Sequence, residues 1–376
     1  MNRFFSKDFI KAILLSRPNR FVVRLKIDGI EMGASLPNPG KLGELFIPGV
    51  TLYVVPMRDE VKYPYRVIAV ESFQGEVVML DTHTNNKVAE HLIDTSRIPS
   101  LKDYSVKRRE VTVGKSRFDF LLENKVGELL YCEFKSCTLF CGSLAMFPDA
   151  VTSRGKRHVE ELALMAEQGI KTAVVFIVQS NQIKYFLPDY HTDPEFSETL
   201  YKNRNIIKII PVLAGWNEQL ELIAGGIEIP ILWKIYEKEG RLDCGSFIIL
   251  FHVAQDLVID MDELGFKTFQ KGFYCYVGFE NNELQKKIER TRRKRKISKN
   301  ELDYLSNNSI IDTIWSIRSS ENLSCKIVSS LELLADKHVS GFDGVLNYFR
   351  DNPRLTREFQ EMILDYKMRL IITKYL

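Results

Sequence analysis

The chain has 376 residues, more than one ordinary core accommodates, so two or three domains are expected. Hydrophobic residues at 45% and charged residues at 27% match a soluble globular protein and exclude disordered, collagenous and disulfide-scaffold classes. Lys and Arg total 52 against 49 Asp and Glu, a net charge of +3, so any affinity for nucleic acid must come from the local distribution of charge.

Six cysteines without dense spacing read as reduced thiols of a cytoplasmic protein. At the N-terminus Arg3, Lys7, Asp8 and Lys11 interrupt the apolar residues, which leaves no apolar core of signal-peptide length. The longest apolar runs, such as residues 173–178, fall far short of a membrane span. No contact with a membrane is expected.

Residues 21–80 alternate short β-branched and aromatic runs with turn residues: FVVRLKI, DG, LPNPG, TLYVVP, YRVIAVES, QG and EVVMLDT. This predicts an antiparallel unit of about five strands, an OB-like barrel over 1–82, although the edge of a plain sandwich gives a similar pattern. Arg17, Arg20, Arg24 and Lys26 lie among the aromatics Phe21 and Tyr53. Such residues build a groove that tracks phosphate and stacks bases, or they are simply the solvated surface of a barrel.

From 83 to 228 helices and strands alternate, which predicts an α/β sheet covered by helices. A helix over 153–168 takes Ser153 as N-cap and stops before Gly169, with Val159, Leu162, Ala163 and Ala166 as its apolar face. The strand KTAVVFIVQ, a helix over 194–202 and the strand IIKIIPVLA follow. IAGGIEIP at 223–230 carries the glycine pair and proline of a domain boundary. A third, smaller αβ domain over 240–376 opens with the strands GSFIILFHV and FYCYVGF and continues with a helix from Glu283. The last ~65 residues, including LTREFQEMILDYKMRLIITKYL, read as helix with apolar positions at helical spacing, the mark of a core or a partner seam.

The hairpin over 117–136 carries the chemistry. Period-2 alternation in YCEFKS puts Glu133 and Lys135 on one face and Cys132, Phe134 and Ser136 on the other. In RFDFLL, Asp119 projects away from its flanking Phe118 and Phe120, so that Asp119 and Glu133 converge on one cation. Paired carboxylates suit Mg²⁺ or Mn²⁺, which fill their other positions with water and substrate phosphate. A lysine beyond the second carboxylate positions the attacking water or the scissile phosphate. Glu110 is the candidate third carboxylate. Charges facing water on a half-exposed hairpin would give the same residues. Cys132, Cys137 and Cys141 crowd this hairpin, but three thiols with no near fourth and no CxxC pair read as small buried residues rather than iron-sulfur ligands.

The hairpin, the helix after it and the buried strand together resemble the core of restriction-endonuclease-like PD-(D/E)xK nucleases. Longer strings, RPNRFVVRLKIDG, LPNPGKLGELFIPG, VMLDTHTNN, KSRFDFLL, CEFKSCTL and FPDAVTSRGKRHVEEL, resemble the sugar fermentation stimulation protein family over about residues 8–215. That resemblance implies an OB-like barrel joined to a PD-(D/E)xK-like domain, and DNA binding linked to maltose and other sugar metabolism. It carries nuclease-type roles to Glu110, Asp119, Glu133 and Lys135, with Phe118 where the motif name has proline. It also implies that FPDAVTSRGKRHVEEL walls the cleft, with Arg154 on phosphate and His158 near the scissile group, and Arg117 is a further candidate for DNA contact. The alternative for that helix is a solvated face with an Arg154–Glu161 ion network. Asp149 is read as a helix-entry residue.

CGSFIILFHV, KGFYCYVGFENNELQKKIERTRR and NELDYL resemble a domain of unknown function related to GIY-YIG nucleases. Phe247 stands where those nucleases have the first-strand tyrosine, and Lys287 stands where they have the helix arginine, with Arg290 one turn on. The resemblance therefore implies a non-catalytic domain. The run KKIERTRRKRK, with Lys287, Arg290, Arg292 and Arg293, can neutralise phosphates, or it is a solvated lysine-rich helix. The expectation is a DNA-binding protein with a Mg²⁺- or Mn²⁺-dependent nuclease site, the alternative being a non-catalytic regulator of sugar-metabolism genes. The sequence carries no signal for an oligomeric state.

Overall fold

Residues 4, 8–57, 62–339, 342 and 344–375 are described by a computed structural model, and Arg3 and Lys7 lie outside them. They divide into two units, Met1–Tyr236 and Glu237–Leu376.

The first unit opens with β1 (Ile10–Asn19), β2 (Val22–Ile27), β3 (Ile30–Ser35), β4 (Thr51–Pro56) and β5 (Tyr65–Glu71) in the order β3-β2-β1-β4-β5. A parallel pairing of β3 with β5, at Ala34↔Tyr65 and Ser35↔Arg66, closes them into a barrel. Alternation builds its interior: Val23, Leu25 and Ile27 of β2 are buried, while Arg24 and Lys26 between them are exposed. The first strand lies ahead of the alternating run at 21–80 and inside the predicted barrel bounds of 1–82. Register shifts at Leu14/Ser16 and Ser16/Asn19 break the period of β1, which hides it from an alternation reading.

β6 (Val77–Met79) pairs with β5 and, through Val77↔Trp216, with a later strand, β14 (Lys208–Trp216), so the barrel strands continue into one twelve-stranded sheet. After α1 (Thr82–Asp94) come β7 (Tyr104–Val113), β8 (Ser116–Asn124), β9 (Leu129–Cys137), β10 (Leu139–Cys141) and β11 (Leu144–Phe147). The unit continues with α2 (Ser153–Glu167), β12 (Lys171–Val178), β13 (Tyr185–Pro188), α3 (Pro194–Lys202), β14 (Lys208–Trp216), β15 (Leu222–Glu228) and the single turn α4 (Trp233–Ile235). The order is β14-β12-β9-β8-β7, parallel across β14-β12-β9 and antiparallel beyond.

β12 is buried on both faces, as its unbroken apolar run requires. Val174, Phe176 and Val178 join the core formed with α2, α3 and the barrel interior, while Ala173, Val175 and Ile177 join the core under α1. Thr152, not Ser153, caps α2, its hydroxyl accepting from the Gly155 N–H at 3.0 Å. Gly169, at φ +83°, terminates it. Asp193 caps α3 at the Phe196 N–H, 3.0 Å, and also accepts from the Thr152 N–H at 2.8 Å, so one carboxylate ties both helix starts together.

The stretch read as a boundary at 223–230 is largely the strand β15, antiparallel to β14. Its glycines serve close approach: a Cβ on Gly226, at φ +86°, would lie 2.4 Å from the Arg97 carbonyl oxygen. In the turn between β3 and β4, a Cβ on Gly40 would lie 2.5 Å from Asp149 Oδ2, which accepts from the Leu42 N–H at 3.2 Å. Gly40→Ala is expected to destabilise this unit by about 1–3 kcal/mol, read as a lower denaturation midpoint at unchanged slope.

The second unit contains β16 (Gly245–Val253), β17 (Leu257–Asp260), β18 (Phe266–Phe269), β19 (Gly272–Glu280), α5 (Leu284–Arg292), α6 (Glu301–Asn308), β20 (Ile310–Arg318), α7 (Ser324–Glu332), β21 (Lys337–Val339), β22 (Val345–Phe349), α8 (Arg357–Leu364) and α9 (Leu370–Tyr375). Its main sheet runs β20-β16-β19-β22-β21, with α5 and α6 packed on one face and α7 and α8 on the other. The all-helical reading of the last stretch is thereby corrected. In β20, Ile310, Ile311, Ile314 and Ile317 mimic helical spacing, but nine residues of β16 in front of it offer an open edge, and pairing decides the conformation. Among the described residues no helix is long and apolar enough to cross a membrane.

Candidate active site

β8 and β9 pair regularly from Glu123↔Leu129 to Phe120↔Cys132 and then part. Asp119 fills the gap: its Oδ2 accepts from the Phe134 N–H at 2.8 Å, where a main-chain carbonyl would otherwise stand. The strand turns as it parts, so Phe118 enters the core of α2 while Phe120 enters that of α1. This corrects the expectation that the two rings share one face. Asp119 Oδ1 accepts from Asn86 Nδ2 at 3.2 Å, a contact from α1 that the sequence reading missed. Nearby, Gln179 Nε2 donates to Asn85 Oδ1 and Ser136 Oγ, each at 3.1 Å, and Trp216 Nε1 donates to Gln179 Oε1 at 2.9 Å. The polar run THTNN inside an otherwise apolar-faced helix was the available signal, since Thr84 and Asn85 are buried there.

Glu133 and Lys135 do share a face of β9. Glu133 is 4% exposed, and its Oε1 accepts from the Lys135 ammonium and from His158 Nδ1, the latter at 2.6 Å. Its Oε2 is buried and makes no hydrogen bond within the described residues. Burial pushes the Glu133 carboxyl up, but the His158 hydrogen bond and the Lys135 charge overcome it and hold the group below its usual range. Asp119 goes the other way: burial, reinforced by the Glu133 charge, pushes it up to about 6. Two neighbouring carboxyls thus hold their protons differently, the pattern of a site built for chemistry or for a cation.

Other predicted site residues fall elsewhere. Glu110 stands across from Asp119 in register, between Arg109↔Phe120 and Val111↔Phe118, but at φ +51° its exposed side chain turns to Arg117 Nη1 at 3.6 Å. Among the described residues no three His, Cys, Asp or Glu side chains group closely enough to hold a metal ion. His158 is not on a solvated face; at 2% exposure it sits edge-on to Phe118, 5.8 Å between ring centroids. Its position one turn before Leu162 on the apolar stripe was the sign of that burial. Arg154 donates from Nε to His158 Nε2 at 3.4 Å rather than forming the ion network with Glu161.

Arg20 and Arg24 are exposed on the barrel. In the second unit Lys287 pairs with Glu280 at 3.1 Å and Arg290 with Asp303 at 2.6 Å, so these two are spent on their own fold. Lys294 and Lys296 likewise fold back onto Ser306, Ser309 and Thr291. Arg292 and Arg293 are exposed. Cys132, Cys137 and Cys141 are buried, as small core residues should be.

The donor set fits a hard divalent cation: two carboxylates, one with a buried oxygen that has no hydrogen-bond partner among the described residues, match an ion that takes one or two protein carboxylates and completes its shell with water and phosphate.

Comparison with known proteins places these units. Residues 15–80 match the family described as the SfsA N-terminal OB domain, and residues 83–219 match the sugar fermentation stimulation protein RE domain. Residues 246–345 match the domain of unknown function DUF123. The sugar fermentation stimulation protein homolog of Clostridium tetani is 39% identical over 198 residues, 52% of this chain and 84% of the relative. The homolog from Methanosphaera stadtmanae is 41% identical over 193 residues, 50% of this chain and 79% of the relative. The solved structure of Pyrococcus furiosus SfsA in complex with Ca²⁺ aligns with a TM-score of 0.56 at 31% identity, covering 60% of this chain and 96% of that one. The architecture is therefore an N-terminal OB domain, a central nuclease-like domain and a C-terminal DUF123 domain.

Proposed function

The chain belongs to the sugar fermentation stimulation protein family, and from that premise we propose that its central domain is a divalent-metal-dependent nuclease of the PD-(D/E)xK type acting on DNA. The observation that carries the reading is the Glu133 oxygen, buried and without a hydrogen bond, beside the raised carboxyl of Asp119. A buried carboxylate oxygen of that kind calls for a cation. The Ca²⁺ bound by the Pyrococcus furiosus relative is consistent with a divalent ion here, Mg²⁺ or Mn²⁺ being the working one.

Asp119 and Glu133 would hold the ion, which when bound supplies Lewis acidity and a template for phosphate and water. Lys135 points its ammonium to the same place, held there by Glu133 Oε1. It orients the attacking water and offsets the negative charge that builds on the phosphorane oxygens. Asn86 and the Phe134 N–H keep Asp119 aimed at the ion's position. Arg20 and Arg24 on the barrel, Arg117 on β8, Arg154 on α2, and Arg292 and Arg293 in the second unit supply phosphate contacts.

That no third His, Cys, Asp or Glu joins Asp119 and Glu133 as a metal ligand among the described residues favours a second reading, a non-catalytic DNA-binding regulator of sugar metabolism in the cytoplasm. Incubation of single-stranded, duplex and branched DNA and of RNA with Mg²⁺, Mn²⁺ or EDTA separates the two. Metal-dependent strand loss supports the nuclease. Intact strands on every substrate, with salt-sensitive DNA binding retained, support the regulator. In either case Arg292→Ala and Arg293→Ala are each expected to lower the slope of log affinity against log salt by about 1, by fluorescence anisotropy, while Lys287→Ala leaves the slope unchanged because Glu280 already holds that ammonium.

A further inference from the structure

We propose that His158 is a positioning residue that presets Glu133 for the cation, and that Arg154 fixes the imidazole in the orientation that does so. The inference rests on the reading of Asp119 and Glu133 as a divalent-metal centre and names a part of it that neither the hairpin motif nor the fold assigns.

The two Glu133 oxygens are treated unequally. Oε1 receives both available donors, the Lys135 ammonium and His158 Nδ1, and Oε2 receives none. The outer torsion of a glutamate is broad and nearly two-fold, so a carboxylate held by one flexible lysine could present either oxygen at many angles. A second donor from a different element removes that freedom. His158 comes from α2, Lys135 from β9, and together they pin Oε1 from two directions, which fixes where Oε2 points.

The imidazole is itself held. Arg154, one turn earlier on α2, donates to Nε2, so Nδ1 is the nitrogen that carries the hydrogen and donates to Glu133. The Phe118 edge closes one side of the ring, and the ring is 2% exposed. A histidine buried only to fill the core would have no need of an arginine on one nitrogen and a ligand carboxylate on the other. Outer partners of this kind set the orientation of a metal's ligands.

The test is Mn²⁺ binding to the full chain by isothermal titration calorimetry, with melting temperature as the folding control. His158→Phe keeps the volume and removes both ring nitrogens. It is expected to stay folded and to weaken Mn²⁺ binding by about 10–100-fold. His158→Asn, whose amide nitrogen takes the place of Nδ1, is expected to restore most of that loss, and His158→Gln, whose amide falls at Nε2, is not. A folded H158F that binds Mn²⁺ as tightly as wild type overturns the positioning role alone. Should H158F fail to fold, equal affinities of H158N and H158Q overturn it instead. Wild-type protein whose Mn²⁺ binding is absent, or unchanged by Asp119→Asn, overturns the metal centre and the positioning role together.

Discussion

Lys135→Ala is expected to slow metal-dependent strand cleavage by about 10²–10³-fold, the usual cost of removing one donor aimed at developing charge. The side chain is 16% exposed and makes one hydrogen bond, to Glu133 Oε1, which keeps His158 as a partner after the change. The fold and the carboxylate pair should therefore survive, and DNA affinity should hold, because Lys135 is one charge among many phosphate contacts. Initial cleavage rates on the substrate that wild type cuts, beside anisotropy binding curves, separate the two effects. Asp119→Asn is the matching change on the other strand: the amide oxygen still accepts from the Phe134 N–H, whereas alanine would strand that buried donor at a cost of about 1–3 kcal/mol. Cleavage by Lys135→Ala at the wild-type rate would sink the nuclease assignment of this lysine.

Asp119 also ties stability to pH. Its carboxyl starts from the ordinary value of 3.8 in the unfolded chain and is pushed up to about 6 in the fold, by burial first and by the Glu133 charge second. The folded state then keeps this proton over a range in which the unfolded state has lost it. The associated stability is fully present below the unfolded value and is lost as pH rises through about 6, amounting to about 3 kcal/mol. Glu133, held low, works in the opposite sense and loses its contribution as pH falls. Comparing wild type with Asp119→Asn isolates the first effect: the difference in urea unfolding free energy should change between pH 4 and pH 7, with the asparagine variant gaining relative to wild type toward neutrality. Mg²⁺ should recover part of the loss at pH 7.5 and little at pH 5, since only the ionised carboxyl binds it. A wild-type minus variant difference that is flat across this range would show that Asp119 is not buried as described.

The face shared by Glu133 and Lys135 was legible because a strand has a fixed period, and nothing at those positions breaks it. Asp119 was legible as a candidate, but its surroundings were not. The parting of β8 from β9 is a tertiary event, set by a side chain that replaces a main-chain acceptor, and no alternation pattern records it. Glu110 failed for a related reason: its register is right, but a left-handed backbone at one residue turns the side chain outward. His158 was visible as a chemically capable residue and invisible as a buried one, because a helix face is usually judged by its apolar members. In the second unit the basic run looked like a uniform charge, yet Glu280, Asp303 and a few backbone carbonyls take up Lys287, Arg290, Lys294 and Lys296, and only the fold decides which cations those are.

The barrel interior has a consequence for inheritance. Leu14, Val23, Leu25 and Leu52 lie in the same apolar cluster as Phe176 of β12, Leu162 of α2 and Leu200 of α3. A mutation that enlarges or empties one side must be answered on the other, so the barrel and the α/β layer change as partners rather than as interchangeable cassettes. Exchange of segments between relatives should be tolerated after Tyr236, where one unit ends, and not after Leu80, where a cut would divide a single apolar interior.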